Sequence, residues 1–361
     1  MADFAQYQRG LGAALAPDGI ALHYGDADGE YRQVRTGVVL MDRSHEGRIE
    51  LIGRDRLGVP QRMSTNDVGA LKPGECAATI FTTPTARILD RAVLCSLGER
   101  ALALTEPGRG AALLGYLQRN IFFNDDLRLR DLSGETRAFA LHGGTSADAL
   151  MNDLSPGISA LPIFGAREVE IGGAQVIAIR MKPLASAGWS IIAPAAAAVD
   201  VHRAIHARGK DDHQLRLAGS LAYNMLRIFA GRPGVGRELS GDYIPLEVGL
   251  WDEVSFTKGC YTGQEIIARM ESRGRLAKTM VRVRLDASIT APADLSAEGK
   301  SVGVLTSTVT LPEELHVGIA VVKMPYAQPG RTLFASETSV HILEYAGVQP
   351  PGLRDEEASD A

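Results

Sequence analysis

The chain changes character after Leu276. From there Val281-Arg282-Val283-Arg284-Leu285 alternates apolar and charged residues one for one, and parts of 301–309, 317–323 and 338–343 do the same between glycine and proline breaks. A period of two sends successive side chains to opposite faces of a strand, so one face can be buried while the other stays wet. Short strands this close together can bury that face only against one another. Residues 276–345 are therefore expected to form a small β-barrel. Residues 1–275 read differently. Strands at about 77–82, 87–96, 100–104, 127–131, 137–142, 168–171 and 175–181 are interleaved with helices at about 54–63, 110–120 and 146–154. Alternation over such short spans suggests α+β modules of ferredoxin-like type rather than a doubly wound sheet. Leu215 to Ala230 reads as the strongest helix, with Leu217, Leu221, Met225 and Ile228 on one face and Gly231 and Pro233 as its stop. The first 30 residues read as a helix-and-loop lead-in that ends in the turn-rich run Gly25-Asp26-Ala27-Asp28-Gly29.

With 361 residues the chain is too long for one compact core. Its net charge of −5 lacks the basic footprint of a nucleic-acid binder. No apolar run reaches the length of a membrane span, and MADFAQYQRG has neither the basic nor the apolar region of a signal peptide, so a cytoplasmic location is expected. The three cysteines, Cys76, Cys95 and Cys260, are odd in number and widely spaced, with no C-x-x-C pair. That does not read as a disulfide framework. Cys76 and Cys95 sit among small and apolar residues and read as buried structural thiols. Three cysteines also cannot supply the four thiolates of an iron–sulfur cluster, so any cluster role would be indirect or would need ligands from a partner. The segment 346–361, with two prolines followed by RDEEASDA, is expected to be a disordered tail.

Residues 258 to 265, KGCYTGQE, hold a cation, a thiol, a phenol, an amide and a carboxylate within eight positions, with two glycines that allow a turn or a close approach. One reading is a tight turn leading into a helix whose first turn carries Gln264 and Glu265, where a carboxylate suits the positive helix end. The other is a functional loop. There Lys258 and the following helix N-terminus would lower the pKa of the Cys260 thiol and make it reactive.

KGCYTGQE followed by IIARMESRGRL resembles the signature of the YgfZ family of folate-binding, iron–sulfur-cluster-associated proteins. Those are relatives of the glycine-cleavage T-protein, an aminomethyltransferase. Four further segments resemble the same superfamily in the same order. Thr36 to Arg48 is similar to its "G-hydrophobic-D-x-S-H-x-G" opening, and Gln61 to Val68 with Leu71-Lys72-Pro73-Gly74 to "TNDV…LKPG". Leu226 to Pro233 resembles "R-x-E-A-G-x-P" with Phe229 at the glutamate, and Pro245 to Leu250 resembles "P-x-E-A-G-L". The resemblance implies two α+β domains interleaved as 1–50 with 135–275 and 51–134, then a C-terminal barrel, around a central folate channel.

It also implies roles for particular residues. Asp90 matches the aspartate that faces the N10 region of the folate, where an anion would stabilise a developing cation. Without the family it reads as a strand-edge carboxylate in water. The usual second acid is replaced by Arg91. Residues 183–190 stand where a T-protein has Y-T-G-E-x-G-Y-E. Gly188 and an aromatic, Trp189, are kept, but Ser190 replaces the glutamate that pairs with the pterin's donor edge, and a serine is a poor substitute for a bidentate carboxylate. The resemblance gives catalytic roles to Asp90 and Cys260. It gives contacts to tetrahydrofolate to Asp90, Arg227, Lys258, Tyr261, Gln264 and Glu265. His202 and His206 have metal-ligand spacing on a helix but read as a solvated face, and no metal is expected. GRPGVG at 231–236 lacks the preceding strand of a dinucleotide loop. Three functions are in play: a YgfZ-like factor for iron–sulfur client enzymes, a folate-dependent aminomethyltransferase or demethylase, and a module that keeps only the fold.

Overall fold

The computed structural model describes residues 4–184, 187–273 and 276–349. They form two compact units. The first comprises the chain up to Pro60, Val68–Ala77 and Ala92–Leu226; the second comprises Gln61–Asp67, Ala78–Arg91 and the chain from Arg227 onward.

The first unit is built on a six-stranded sheet in the order Ala166–Ile171, Ala174–Met181, Gly188–Pro194, Thr136–His142, Val39–Asp42 and Arg216–Leu217. Neighbours are antiparallel except for the last pair, which is parallel. Pleating sends Leu40, Phe139, Leu141, Ala178, Trp189 and Ile191 to one face, where they meet Leu150 and Met151 of helix Gly144–Leu154 and Val201 and Ile205 of helix Ala198–Asp212. A second sheet has the order Cys76–Thr82, Ile88–Ser96, Arg100–Pro107, Glu46–Ile52 and Arg128–Asp131. Its first two strands carry the chain from one unit into the other.

In the second unit six antiparallel strands close into a barrel in the order Lys278–Leu285, Leu315–Lys323, Lys300–Leu311, Ala293–Ala297, Thr332–Ala335 and Thr338–Tyr345. The alternation seen in the sequence is its inside–outside code. Val281, Val283 and Leu285 fill the interior while Arg282 and Arg284 face out to Glu344 and Asp286. Each buried Val or Leu contributes roughly 1.5–3 kcal/mol. Closure also removes the unpaired edges that would invite aggregation.

Several expectations are corrected. Leu217 lies on a strand beside Leu40, and the helix begins only at Ser220. Leu221 is exposed, whereas Ala222, Leu226 and Ile228 are buried. Pairing with an open sheet edge outweighed the local helical period. The turn-rich run at 25–29 is instead a helix start, where the Asp26 carboxylate accepts the Gly29 amide and caps helix Ala27–Thr36. His202 is not on a solvated face. It is buried against Phe4, Tyr7 and Phe139, its Nδ1 lies 3.2 Å from the Tyr7 hydroxyl, and burial pushes its pKa down to about 3. Cys76 and Cys95 are not free thiols but a disulfide between neighbouring strands. Sequence spacing cannot show which residues an antiparallel pairing sets opposite each other. The tail expectation fails for 346–349: the Ala346 amide donates to Met280, the Val348 amide to Gly249, and Gln349 is buried against Thr279. Residues 350–361 lie outside the described residues.

Two outcomes follow from this packing. Thiol titration of the unreduced protein should find one reactive group per chain, Cys260, and three after reduction and denaturation. Three groups at the outset would remove the disulfide. His202 is protonated in the unfolded chain below its ordinary 6.5 but stays neutral in the fold down to about 3. The unfolded state therefore binds more protons across that window, and the stability advantage of wild type over His202→Asn should shrink as pH falls from 6.5 toward 3. Denaturant unfolding at several pH values measures it; a difference that stays flat counts against a buried neutral imidazole.

Candidate functional site

Asp90, Arg227, Lys258, Cys260, Tyr261, Gln264 and Glu265 all lie in the second unit. Asp90 is the third residue of strand Ile88–Ser96 and is buried, and its Oδ1 accepts the Arg91 amide at 3.1 Å. It is not a strand-edge group in water. The next residue points the opposite way, as a pleated strand requires. The Arg91 guanidinium grips Glu253 through two bonds of 2.7 Å, Nε to Oε2 and Nη2 to Oε1, with both side chains buried. A two-pronged pair of this kind fixes direction as well as charge. Arg91 is thus a tie to the 3₁₀ turn Trp251–Glu253. Nothing in the sequence signals a partner 162 positions away.

The KGCYTGQE segment follows that turn, and its groups divide sharply between bound and exposed. The Lys258 ammonium donates to three backbone carbonyls, Gln61 at 2.6 Å and Ser64 and Asn66 at 2.8 Å each. That accounts for all three of its N–H bonds. Burial pushes its pKa down to about 8. Its ammonium also lies 5.1 Å from the centre of the Tyr261 ring. Tyr261 packs in a cluster with Ala86, Ile244, Leu246, Val254 and Ile267, and burial pushes its phenol up to about 12. The Thr262 carbonyl accepts the Thr82 hydroxyl at 2.6 Å. Gly263 has φ +84°, and a Cβ there would stand 2.8 Å from both Thr82 Oγ1 and the Thr83 carbonyl. Only glycine meets both demands.

Helix Gln264–Arg273 begins four residues past the thiol. Gln264 is half-buried, and Glu265 projects into solvent, paired with Arg269 one turn on. Cys260 is exposed. The segment therefore clamps the 61–66 loop with Lys258 and packs the 82–86 turn, which leads into the Asp90 strand, against Thr262 and Gly263. It leaves a thiol and a carboxylate facing water.

Arg227 belongs to a different network. Its guanidinium reaches Ser307 Oγ at 3.2 and 3.3 Å and lies 3.6 Å from Glu238. Glu238 is fully buried, accepts the Gly234 amide and the Ser307 hydroxyl at 2.8 Å each, and also accepts the Thr306 hydroxyl. Sequence reasoning missed Glu238, whose only local signal is a carboxylate four residues beyond Gly234. Phe229, at the family's glutamate position, lies under the Arg282 guanidinium at 4.9 Å. In the first unit, Trp189 is core, its Nε1 donating to Asp148 at 2.9 Å, and Ser190 is buried on the opposite face. The retained aromatic is therefore a packing group. Residues 185 and 186 of that segment lie outside the described residues. Among the described residues no group of three His, Cys, Asp or Glu is arranged to hold a metal, and no helix is long and apolar enough to cross a membrane.

The model of the GCVT N-terminal domain matches residues 20–258, and the chain belongs to that family. Among its relatives is a chloroplastic "putative transferase" of Arabidopsis thaliana, 30% identical over 90% of this chain and 74% of that protein. An aminomethyltransferase of Geobacillus kaustophilus is 30% identical over 84% of each chain. In structure the chain is similar to aminomethyltransferase T of the glycine cleavage system from Bartonella henselae, with a TM-score of 0.81, 21% identity, and coverage of 94% of this chain and 95% of that one. The fold is the mixed α+β T-protein fold with its closed C-terminal barrel.

The Arg91–Glu253 pair gives the sharpest stability test. Arg91→Met should destabilise by about 3–5 kcal/mol, because it strands a buried carboxylate. Arg91→Met with Glu253→Leu should recover most of the loss. Denaturant unfolding of the singles and the double decides it, and singles costing no more than a surface substitution would show the pair to be solvated.

Proposed function

We propose that this protein binds tetrahydrofolate and, in the manner of the YgfZ branch, supports assembly or repair of iron–sulfur clusters in client enzymes. The observation that carries the reading is the presentation of Cys260: an exposed thiol on a backbone fixed at Lys258 on one side and Gly263 on the other. A thiol that engages a partner must be both accessible and held in place, and this segment provides both. Its sequence is the one that resembles the YgfZ signature. Since Cys76 and Cys95 are joined, Cys260 is the one free thiol among the described residues, so a cluster would take its remaining ligands from the client.

The folate reading rests on chemistry that the chain supplies in part. Asp90 offers a buried carboxylate, suited to stabilising positive charge at the N10 region of a folate. Lys258 and Tyr261 act as positioning residues for the loop and turn around it, and Arg227 is the remaining cation assigned to the folate. Ser190 presents one hydroxyl where the T-protein glutamate accepts two hydrogen bonds, which lowers the expected affinity for the pterin. The second reading, a folate-dependent aminomethyltransferase, is favoured by Asp90 and by the Geobacillus aminomethyltransferase. Ser190 and Phe229, both in place of acids, stand against it.

Complementation separates the readings. The chain should restore cluster-enzyme activity in a strain lacking its own YgfZ, and Cys260→Ala should lose that activity while unfolding within about 0.5 kcal/mol of wild type, as an exposed substitution does. Failure to complement where a known relative succeeds ends the first reading. Turnover with glycine-cleavage components that is abolished by Asp90→Asn promotes the second. Calorimetry with tetrahydrofolate that shows no heat removes folate from both.

A further inference from the structure

A cavity of about 280 Å³ lies wholly within the first unit, apart from every residue assigned to folate. Its walls come from both sheets: Leu102 and Leu132 from the side of the second sheet, Ile177 and Ile192 from the six-stranded one. Those residues give it an apolar floor. The rim is charged. Arg100 spans two carboxylates, with Nη1 3.1 Å from Glu50 Oε1 and Nη2 2.6 Å from Glu168 Oε1. Glu50 is buried and has a second cation, Arg130 Nε, at 3.2 Å from its Oε2. Glu168 is more than half exposed.

We propose that this cavity binds a small organic carboxylate with an apolar, ring-sized body, its carboxylate on Arg100 and its body on the Leu102, Leu132, Ile177 and Ile192 floor. The size sets the body. Dry apolar cavities of about 150 Å³ take up benzene, while sites for drug-sized ligands start near 300 Å³. A single ring with a short acidic arm falls between. The charges set the head group. Arg100 and Arg130 both neutralise buried Glu50, so a ligand ammonium would have to displace a cation from a buried carboxylate, which is costly. The Arg100–Glu168 pair is different. Glu168 is more than half exposed, and such a pair contributes little. A ligand carboxylate can take the place of Glu168 on Nη2 in a charge-assisted hydrogen bond, while Nη1 stays on Glu50. The floor then shields the new pair from solvent better than Glu168 does. The proposal is independent of the folate reading.

The test uses the full-length protein with labelled Ile and Leu methyls, titrated with benzoate and 3-phenylpropionate and, as neutral and cationic controls, benzyl alcohol and benzylamine. Saturable shifts should appear at Ile177 and Ile192, with Kd in the range of about 0.1–10 mM for ligands this small. Both acids should bind better than the alcohol, and the alcohol better than the amine. Arg100→Met should weaken benzoate by about tenfold or more, as loss of a charged hydrogen bond does. Glu168→Gln leaves Arg100 and Glu50 in place and removes the competing anion, so it should tighten benzoate. The result that overturns the proposal is any of these: no saturation, shifts that leave Ile177 and Ile192 unmoved, the amine binding best, or benzoate weakened by Glu168→Gln.

Discussion

The Lys258 ammonium bonded to three backbone carbonyls is the contact on which the second unit's site depends. The Gln61, Ser64 and Asn66 carbonyls turn inward, and buried carbonyls without donors are destabilising. A lysine is the one side chain that brings three donors on a flexible stem. In return, the carbonyls offset the cost of removing a cation from water. Thr65, inside the same loop, is stitched to both sides: its amide donates to Ile80, its hydroxyl to Glu253, and its carbonyl accepts the Ser255 amide. Loop, strand and turn therefore hold as one piece, and Lys258 closes it.

Arg91 is held within the same frame. Pleating makes the direction of Asp90 the inverse of that of Arg91, and the two-pronged grip on Glu253 leaves Arg91 no freedom to rotate. Asp90 is thereby oriented by its neighbour's side chain and capped by its neighbour's amide. The side chain at 91 thus serves as a tie to the 3₁₀ turn at Trp251–Glu253.

Legibility followed the range of the interactions. The barrel strands at 278–285 and 315–323 showed in the sequence because inside–outside alternation is a local code, and so did the helices at 110–119 and 144–154. The short strands Ala293–Ala297 and Thr332–Ala335 give too few periods to register. Gly188–Pro194 was hidden by reading its residues as a ligand motif, though Trp189, Ile191 and Ala193 alternate into the core. Leu217 was drawn into a helix because its neighbours in sequence are helical, while its neighbour in space is a strand edge at Leu40. The Arg91–Glu253 pair and the Glu238–Ser307 bond join residues 162 and 69 positions apart, and the disulfide depends on a strand pairing that spacing alone does not set.

The site residues show the same limit in a different form. KGCYTGQE stood out because five chemical functions share eight positions, which suggested five groups aimed at a ligand. In the fold, the ammonium is committed to carbonyls, the phenol to a hydrophobic cluster and Gly263 to a close approach, and Glu265 pairs with its own helix. A motif can be rich in chemistry because a tight junction needs many kinds of contact, and not only because a ligand does. What distinguishes the two is the group left over when the internal bonds are assigned. Here the Cys260 thiol is free and exposed between two anchors.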